Sequence, residues 1–236
     1  MREAIITATL RRANKRERTP AWKAPFFLLS HDCPKGQINN TMIRLFEALC
    51  KAYFRELTER QKFQRATDEF SHLKEACPKC GAKGKLSEHG DYGRYLVSFE
   101  DGEITVSLVN PDRFRCASCG STHALLPDII IPYGRYSLLF VLAVLIAYFE
   151  RATTVANICE QFCIAVSTIY KWWNRIALHK ELMLGALISQ KQGVHAYILG
   201  LLNSYDLSDI LRRFFRKYGF SFMQNRSIPT SRSRPP

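Results

Sequence analysis

No run of apolar residues in this 236-residue sequence is long enough to cross a bilayer. The longest, residues 137–149, falls well short of the ~20 residues that a spanning helix needs, and Arg135 stops its extension backwards. Residues 1–18, MREAIITATLRRANKRER, lack the apolar stretch and small-residue cleavage site of a secretory signal. A reducing cytoplasm is therefore the expected compartment, and the eight cysteines read as metal ligands or core residues before disulfides. Acidic residues are the scarcer charge, 21 against 34 Lys plus Arg. The formal net charge of +13 favours a polyanionic partner such as nucleic acid over an acidic substrate or a membrane surface. Also missing are a carboxylate pair, a nucleophile with its base and a phosphate-cradling loop, which argues against an enzyme. Ser30, His31 and Asp32 are sequence neighbours, whereas a catalytic triad assembles from separated positions.

What is present is ordinary globular composition, 47% hydrophobic and 23% charged, enough for one large domain or two small ones. Positive charge gathers at both ends, and the middle is nearly neutral. Residues 1–40 show no sustained period and read as an irregular basic arm. Met42, Leu45, Phe46, Leu49, Ala52 and Tyr53, then Phe63, Ala66, Phe70 and Leu73, recur at helical spacing and predict an amphipathic helical segment over 41–76. Between 77 and 127 the pattern turns to strands. Tyr95, Val97 and Phe99 alternate with Leu96 and Ser98, and Ile104, Val106 and Leu108 with Thr105 and Ser107, around an Asp101-Gly102 turn, which predicts a β-hairpin. Helical spacing returns over 133–190, with breaks near 152–154 and 163–165. Residues 191–236 form a basic C-terminal segment with a weak helix over 207–218 and a tail, 227–236, whose composition predicts disorder.

Cys77-Pro-Lys-Cys80-Gly81 and Cys116-Ala-Ser-Cys119-Gly120 are two C-x-x-C-G units on either side of that hairpin. Each C-x-x-C turn aims two sulfurs at one spot, so four thiolates can close a tetrahedral Zn²⁺ site with Zn–S near ~2.3 Å. The glycines suit positions that need positive φ. Four thiolates leave no open coordination position, so the metal is expected to be structural, with Lys79, Lys83, Arg113 and Arg115 placed to offset the formal negative charge. Reduced cysteines that only pack, or redox chemistry without the βαβ frame it wants, are the competing readings. His123 and His89 are possible substitute ligands; the plain reading of both is a surface or hydrogen-bonded turn histidine. Cys50 and Cys159 read as packing residues.

Residues 154–162, 163–165 and 166–176 have the spacing of helix, short turn and second helix. Ile169, Trp172, Trp173 and Ile176 follow the i, i+3, i+4, i+7 rule and should face the core, with the tryptophans as core or rim residues and not stacking platforms. Ser167, Tyr170, Lys171, Asn174 and Arg175, with Thr168 beside them, make the other face. Hydroxyl and amide groups can meet base edges of duplex DNA, and Lys171 and Arg175 can meet phosphate or guanine. The apolar run 138–149 would supply the supporting helix. Cys163 stands where glycine commonly makes the turn, and Ala165 where serine or threonine often caps the second helix. An ordinary helical hairpin with a solvated polar face is the competing reading.

Taken together, CPKCG, Tyr92-Gly-Arg-Tyr95, RFRCASCGSTHALLPDIIIPYGRYS and QNRSIPT resemble a bacterial transposon-associated family of unknown function, similar in order of parts to the N-terminal half of insertion-sequence transposases. The resemblance covers about residues 70–230 and is most specific over 115–132. It implies zinc at Cys77, Cys80, Cys116 and Cys119 and DNA binding by 154–176, and it supplies no catalytic residue. The catalytic half of such transposases is an RNase H-like fold with three carboxylates, whereas beyond Trp173 only Glu181, Asp206 and Asp209 are acidic. The expected architecture is α+β and mainly helical: a zinc ribbon over 77–127, then a three-helix helix-turn-helix domain over 133–190. The expected function is non-enzymatic DNA binding, or failing that a module that recruits a protein partner such as a separate recombinase.

Overall fold

A computed structural model describes residues 42–46, 57–100, 102–204 and 206–225. Its elements run β1 (Met42–Leu45), α1 (Glu59–Asp68), β2 (Leu86–Asp91), β3 (Arg94–Glu100), β4 (Glu103–Val109), β5 (Asp112–Cys116) and β6 (Thr122–Pro127). Helices α2 (Leu138–Glu150), α3 (Val155–Gln161), α4 (Val166–Leu184), α5 (Ala186–Lys191), α6 (Val194–Asn203) and α7 (Leu207–Tyr218) follow. The fold is mixed α and β. The expected basic arm over 1–40, residues 41 and 47–56 of the first helical segment with Cys50, and the tail 227–236 lie outside the described residues.

Strands β1, β6, β5 and β2 form one sheet in that order, parallel between β1 and β6 and antiparallel elsewhere. The structure corrects the helical reading at 42–46. Met42 and Leu45 satisfy a short strand as well as a helix, and the ladder Met42↔Ala124 to Leu45↔Pro127 covers what would otherwise be the open edge of β6. Among the described residues, the helix of this segment runs Glu59–Asp68, and Thr58 and Gln61 close a capping box at its start.

Strands β3 and β4 pair as the expected hairpin, with Val97 opposite Val106 and Phe99 opposite Ile104, and Gly102 takes φ 86° in the turn. Both faces of β3 are covered. Leu96 packs with Phe63 and Ala66 of α1, and Val97 packs with the helical core. The Val97 amide donates to the Arg135 carbonyl (2.8 Å) and its carbonyl accepts from the Ser137 amide (3.0 Å), which locks the hairpin to the start of α2.

Helix α2 is apolar on all sides and is buried accordingly, not membrane-spanning. No described helix is long and apolar enough to cross a membrane. Residues 194–223 join the same core: Tyr197, Ile198, Leu201, Leu211, Phe214, Phe220, Phe222 and Met223 pack with α2 and α4. The division at 190–191 therefore does not separate two cores. The sequence 220–224 looks unremarkable but is buried around His179, whose Nδ1 accepts from the Met223 amide (2.9 Å). Burial, helped by Arg175, holds that imidazole down at about 4.

Two buried carboxyl groups join the layers. Asp128, just past β6, accepts from the Ser208 hydroxyl of α7 (2.5 Å), and burial pushes it up to about 6. Glu59, at the start of α1, accepts from the Ser137 hydroxyl (2.9 Å), and that hydroxyl also accepts from the Phe140 amide as the N-cap of α2. Glu59 Oε2 has no hydrogen-bond partner among the described residues. Burial pushes Glu59 up to about 7, although Ser137 and Lys62 pull it down.

Glu59 thus holds its proton more tightly folded than unfolded, so its contribution is full below about pH 4.5 and is lost as pH rises through about 7. The ionised form costs on the order of 3 kcal/mol. Glu59→Gln should leave stability nearly unchanged at pH 4.5 and raise it at pH 8, in urea midpoints measured against the parent at each pH. An equal loss at both pH values would refute the assignment.

Candidate metal centre and exposed helix face

The two C-x-x-C-G units fold alike. In the first, the Gly81 amide donates to the Cys77 carbonyl (2.8 Å) and the Cys77 amide to the Ala82 carbonyl (2.9 Å). In the second, Gly120 donates to Cys116 (2.8 Å) and Cys116 to Ser121 (2.9 Å). Gly81 and Gly120 take φ 74° and 68°, and a Cβ at either would meet nothing within 4 Å. The glycines are there for their backbone conformation, not for space. Alternation along β5 turns Phe114 and Cys116 inward and leaves Arg113 and Arg115 exposed.

These turns bring all four sulfurs within 4.8 Å of one another. Cys77 Sγ lies 3.7 Å from Cys119 Sγ, and Cys80 Sγ lies 3.7 Å from Cys116 Sγ. A regular tetrahedron with metal–sulfur bonds of ~2.3 Å has edges of ~3.8 Å, so the donor set fits a four-coordinate metal ion. Cys77 and Cys116 are buried, Cys119 is half-buried and Cys80 exposed, which sets the cluster at the edge of a core made by Ile43, Leu86, Phe114 and Leu125.

The sulfurs respond unequally to their surroundings. Hydrogen bonds from the Ser121 hydroxyl and amide bring Cys119 down to about 6, and the Cys119 amide lowers Cys116. At Cys80 the Ala82 amide pulls downward but is outweighed by desolvation and by the other three cysteines, which together push it up to about 12. Crowded thiolates repel, and a divalent cation among them removes that penalty and deprotonates each ligand. Lys79 and Lys83 are exposed, like Arg113 and Arg115.

His123 is the residue that sequence reasoning undervalued. It lies fully buried on β6, opposite Phe114, and its Nε2 is 3.2 Å from Cys77 Sγ. The signal was the two-residue period it shares with Leu125, which places both on the inward face. His89 is exposed on β2.

The second candidate feature is α4. Thr154 caps α3, its hydroxyl accepting from the Asn157 amide (3.2 Å). The chain then reverses through Cys163, which takes φ 51° where glycine commonly makes the turn, and Ala165, the N-cap of α4, offers no side-chain cap. Ile158, Phe162, Ile164, Ile169, Trp172 and Ile176 are buried, and Phe162 and Trp172 meet Phe140 of α2 edge-on at 5.8 and 6.3 Å. Trp173 sits at the rim, 37% exposed. Ser167, Tyr170, Lys171 and Asn174 are exposed, and Thr168 is half-buried. Arg175 stands apart from them. It is half-buried and donates to the Met223 carbonyl (3.0 Å), tying α4 to the C-terminal segment.

Backbone conformation at these turns makes opposite predictions for two substitutions. Gly120→Ala should destabilise by about 1–2 kcal/mol, the cost of positive φ with a Cβ. Cys163→Gly should stabilise by about 1 kcal/mol for the converse reason, and Ala165→Ser by about 1 kcal/mol through the missing cap. Urea denaturation of the three variants checks both signs; a neutral Gly120→Ala would contradict the role given to that glycine.

Residues 77–172, less than half of the chain, match the family described as a domain of unknown function (DUF6431). The match runs from the first of the four cysteines to Trp172 within α4 and so spans the metal centre and the start of the exposed helix face. No curated protein and no solved structure matches the chain.

Proposed function

We propose that this chain is a zinc-stabilised, non-enzymatic DNA-binding protein. Four cysteine sulfurs within 4.8 Å of one another favour Zn²⁺ among common resident ions, and full thiolate ligation would make it structural. The observation that carries the DNA reading is the division of α4. Ile169, Trp172 and Ile176 anchor one side in the core, while Ser167, Tyr170, Lys171 and Asn174 stand in solvent on the other. A helix held rigidly by α2 with a short polar face of hydroxyl, amide and ammonium groups suits the major groove, in the manner of a helix-turn-helix. Thr168 and Arg175 flank that face, and Arg175 acts chiefly through its bond to Met223. Arg213, Arg216 and Lys217, exposed on α7, supply further positive charge. The resemblance of its sequence to transposon-associated proteins supports a role with a mobile element, in the cytoplasm.

One observation favours a second reading, a module that binds another protein such as a recombinase. Leu187 and Ile188, adjacent on α5, are 79% and 59% exposed, and neighbouring large apolar side chains left in solvent suit a protein contact.

Metal analysis of the purified protein should find one zinc per chain, and a gel shift should show duplex DNA binding that weakens about 10³-fold or more between 50 and 200 mM salt, for six or more phosphate contacts. Lys171→Ala should weaken binding across all sequences and flatten that salt dependence. Leu187→Ser should leave DNA affinity unchanged. Absence of duplex binding at low salt would refute the reading in favour of the protein-binding module.

A further inference from the structure

We infer that His123 is a positioning residue of the metal centre, its Nε2–H donating a hydrogen bond to the Cys77 thiolate and fixing that sulfur without touching the ion. This rests on the zinc reading above and goes beyond it by assigning a fifth residue to the site.

The argument starts from charge. Four thiolates around a divalent ion leave a formal charge of about −2, and a buried anion is stable only with donors around it. Three of the sulfurs have theirs in view. Cys116 accepts from the Cys119 and Ser118 amides, Cys119 from Ser121, and Cys80 from the Ala82 amide at an exposed position. Cys77 is 2% exposed, and the ring of His123, itself 0% exposed, stands 3.2 Å from its sulfur.

Geometry then separates a donor from a ligand. A nitrogen sharing the ion with Cys77 would lie ~3.6 Å from its sulfur and would carry no proton on the coordinating side. The observed 3.2 Å is a hydrogen-bonding distance, and the set of side chains whose ligand atoms all lie within 4.8 Å contains the four cysteines without His123. Position adds rigidity. His123 lies in mid-sheet, paired with Phe114 of β5, two residues before Cys116 on the same strand. The strand pair that delivers Cys116 also delivers the imidazole, so the ring cannot drift from Cys77 without breaking the β5–β6 ladder. Partners of this kind change metal affinity about 10–100-fold when removed.

The test uses the full chain loaded with Co²⁺ in place of Zn²⁺, together with chelator competition for Zn²⁺. The parent should give the ligand-field bands of four thiolates. His123→Phe should keep those bands, shift the sulfur-to-metal charge transfer to lower energy and release Zn²⁺ about 10–100-fold more readily. His123→Gln, whose carboxamide N–H reaches about as far as Nε2, should recover most of both effects, which a purely steric role would not allow. Unchanged affinity and charge transfer in His123→Phe would overturn the inference, as would a glutamine variant no better than phenylalanine. A parent spectrum of three thiolates and one nitrogen would also overturn it, by making His123 a ligand. Should the phenylalanine variant fail to fold, the parent loaded with spin-active cadmium decides: the Nε2 proton should couple to the metal through the sulfur, and absence of that coupling rejects the bond. A parent that takes up no metal refutes the zinc reading itself, whereas metal uptake with indifferent variants refutes only the role of His123.

Discussion

Four sulfurs drawn from turns about forty residues apart crowd within 4.8 Å of one another, and the repulsion they would feel as thiolates is the constraint on which this end of the molecule depends. A cation bound among them would resolve it. It would join the two turns into one rigid unit and support the register of β2 and β5 at Leu86↔Cys116, to which β6 is tied by its ladder to β5. Order passes onward along the same strand. β6 ends at Pro127, Asp128 is bonded to Ser208 of α7, and the Ile129 carbonyl accepts from the Leu138 amide at the start of α2 (2.8 Å).

The hairpin and α1 are joined to the helical end by contacts of three different kinds. Backbone bonds tie Val97 to residues 135 and 137, the Glu59–Ser137 pair links α1 to the cap of α2, and the rings of Phe99 and Phe162 meet at 5.2 Å. Helix α4 is fixed on its buried side by α2, where Trp172 meets Phe140, and by the C-terminal segment through His179 and Arg175. On the DNA-binding reading proposed above, that rigidity would favour binding, because groups held in place before contact lose less conformational freedom.

Much of this was legible in the sequence, because the residues concerned answer to local rules. The C-x-x-C-G spacing, the alternation about Gly102 and the i, i+3, i+7 pattern of Ile169, Trp172 and Ile176 each describe a geometry that neighbours in the chain enforce. The rest depended on distant partners. Met42–Leu45 carries too few residues to distinguish a strand from a helix, and the open edge of β6 decides the matter. Val97 and Leu96 are both buried because the hairpin is covered on both sides, which alternation alone cannot reveal. Residues 220–224 owe their burial to His179 on another helix, and Arg175 is drawn toward the same segment. His123 read as a turn histidine because the strand that turns it inward was not recognised as such.

The most direct measurement is X-ray absorption at the zinc edge of the purified full-length protein. Four sulfur neighbours at ~2.3 Å and no nitrogen or oxygen shell is the predicted result. A mixed shell with nitrogen, or sulfurs found joined as disulfides with no bound metal, would contradict it.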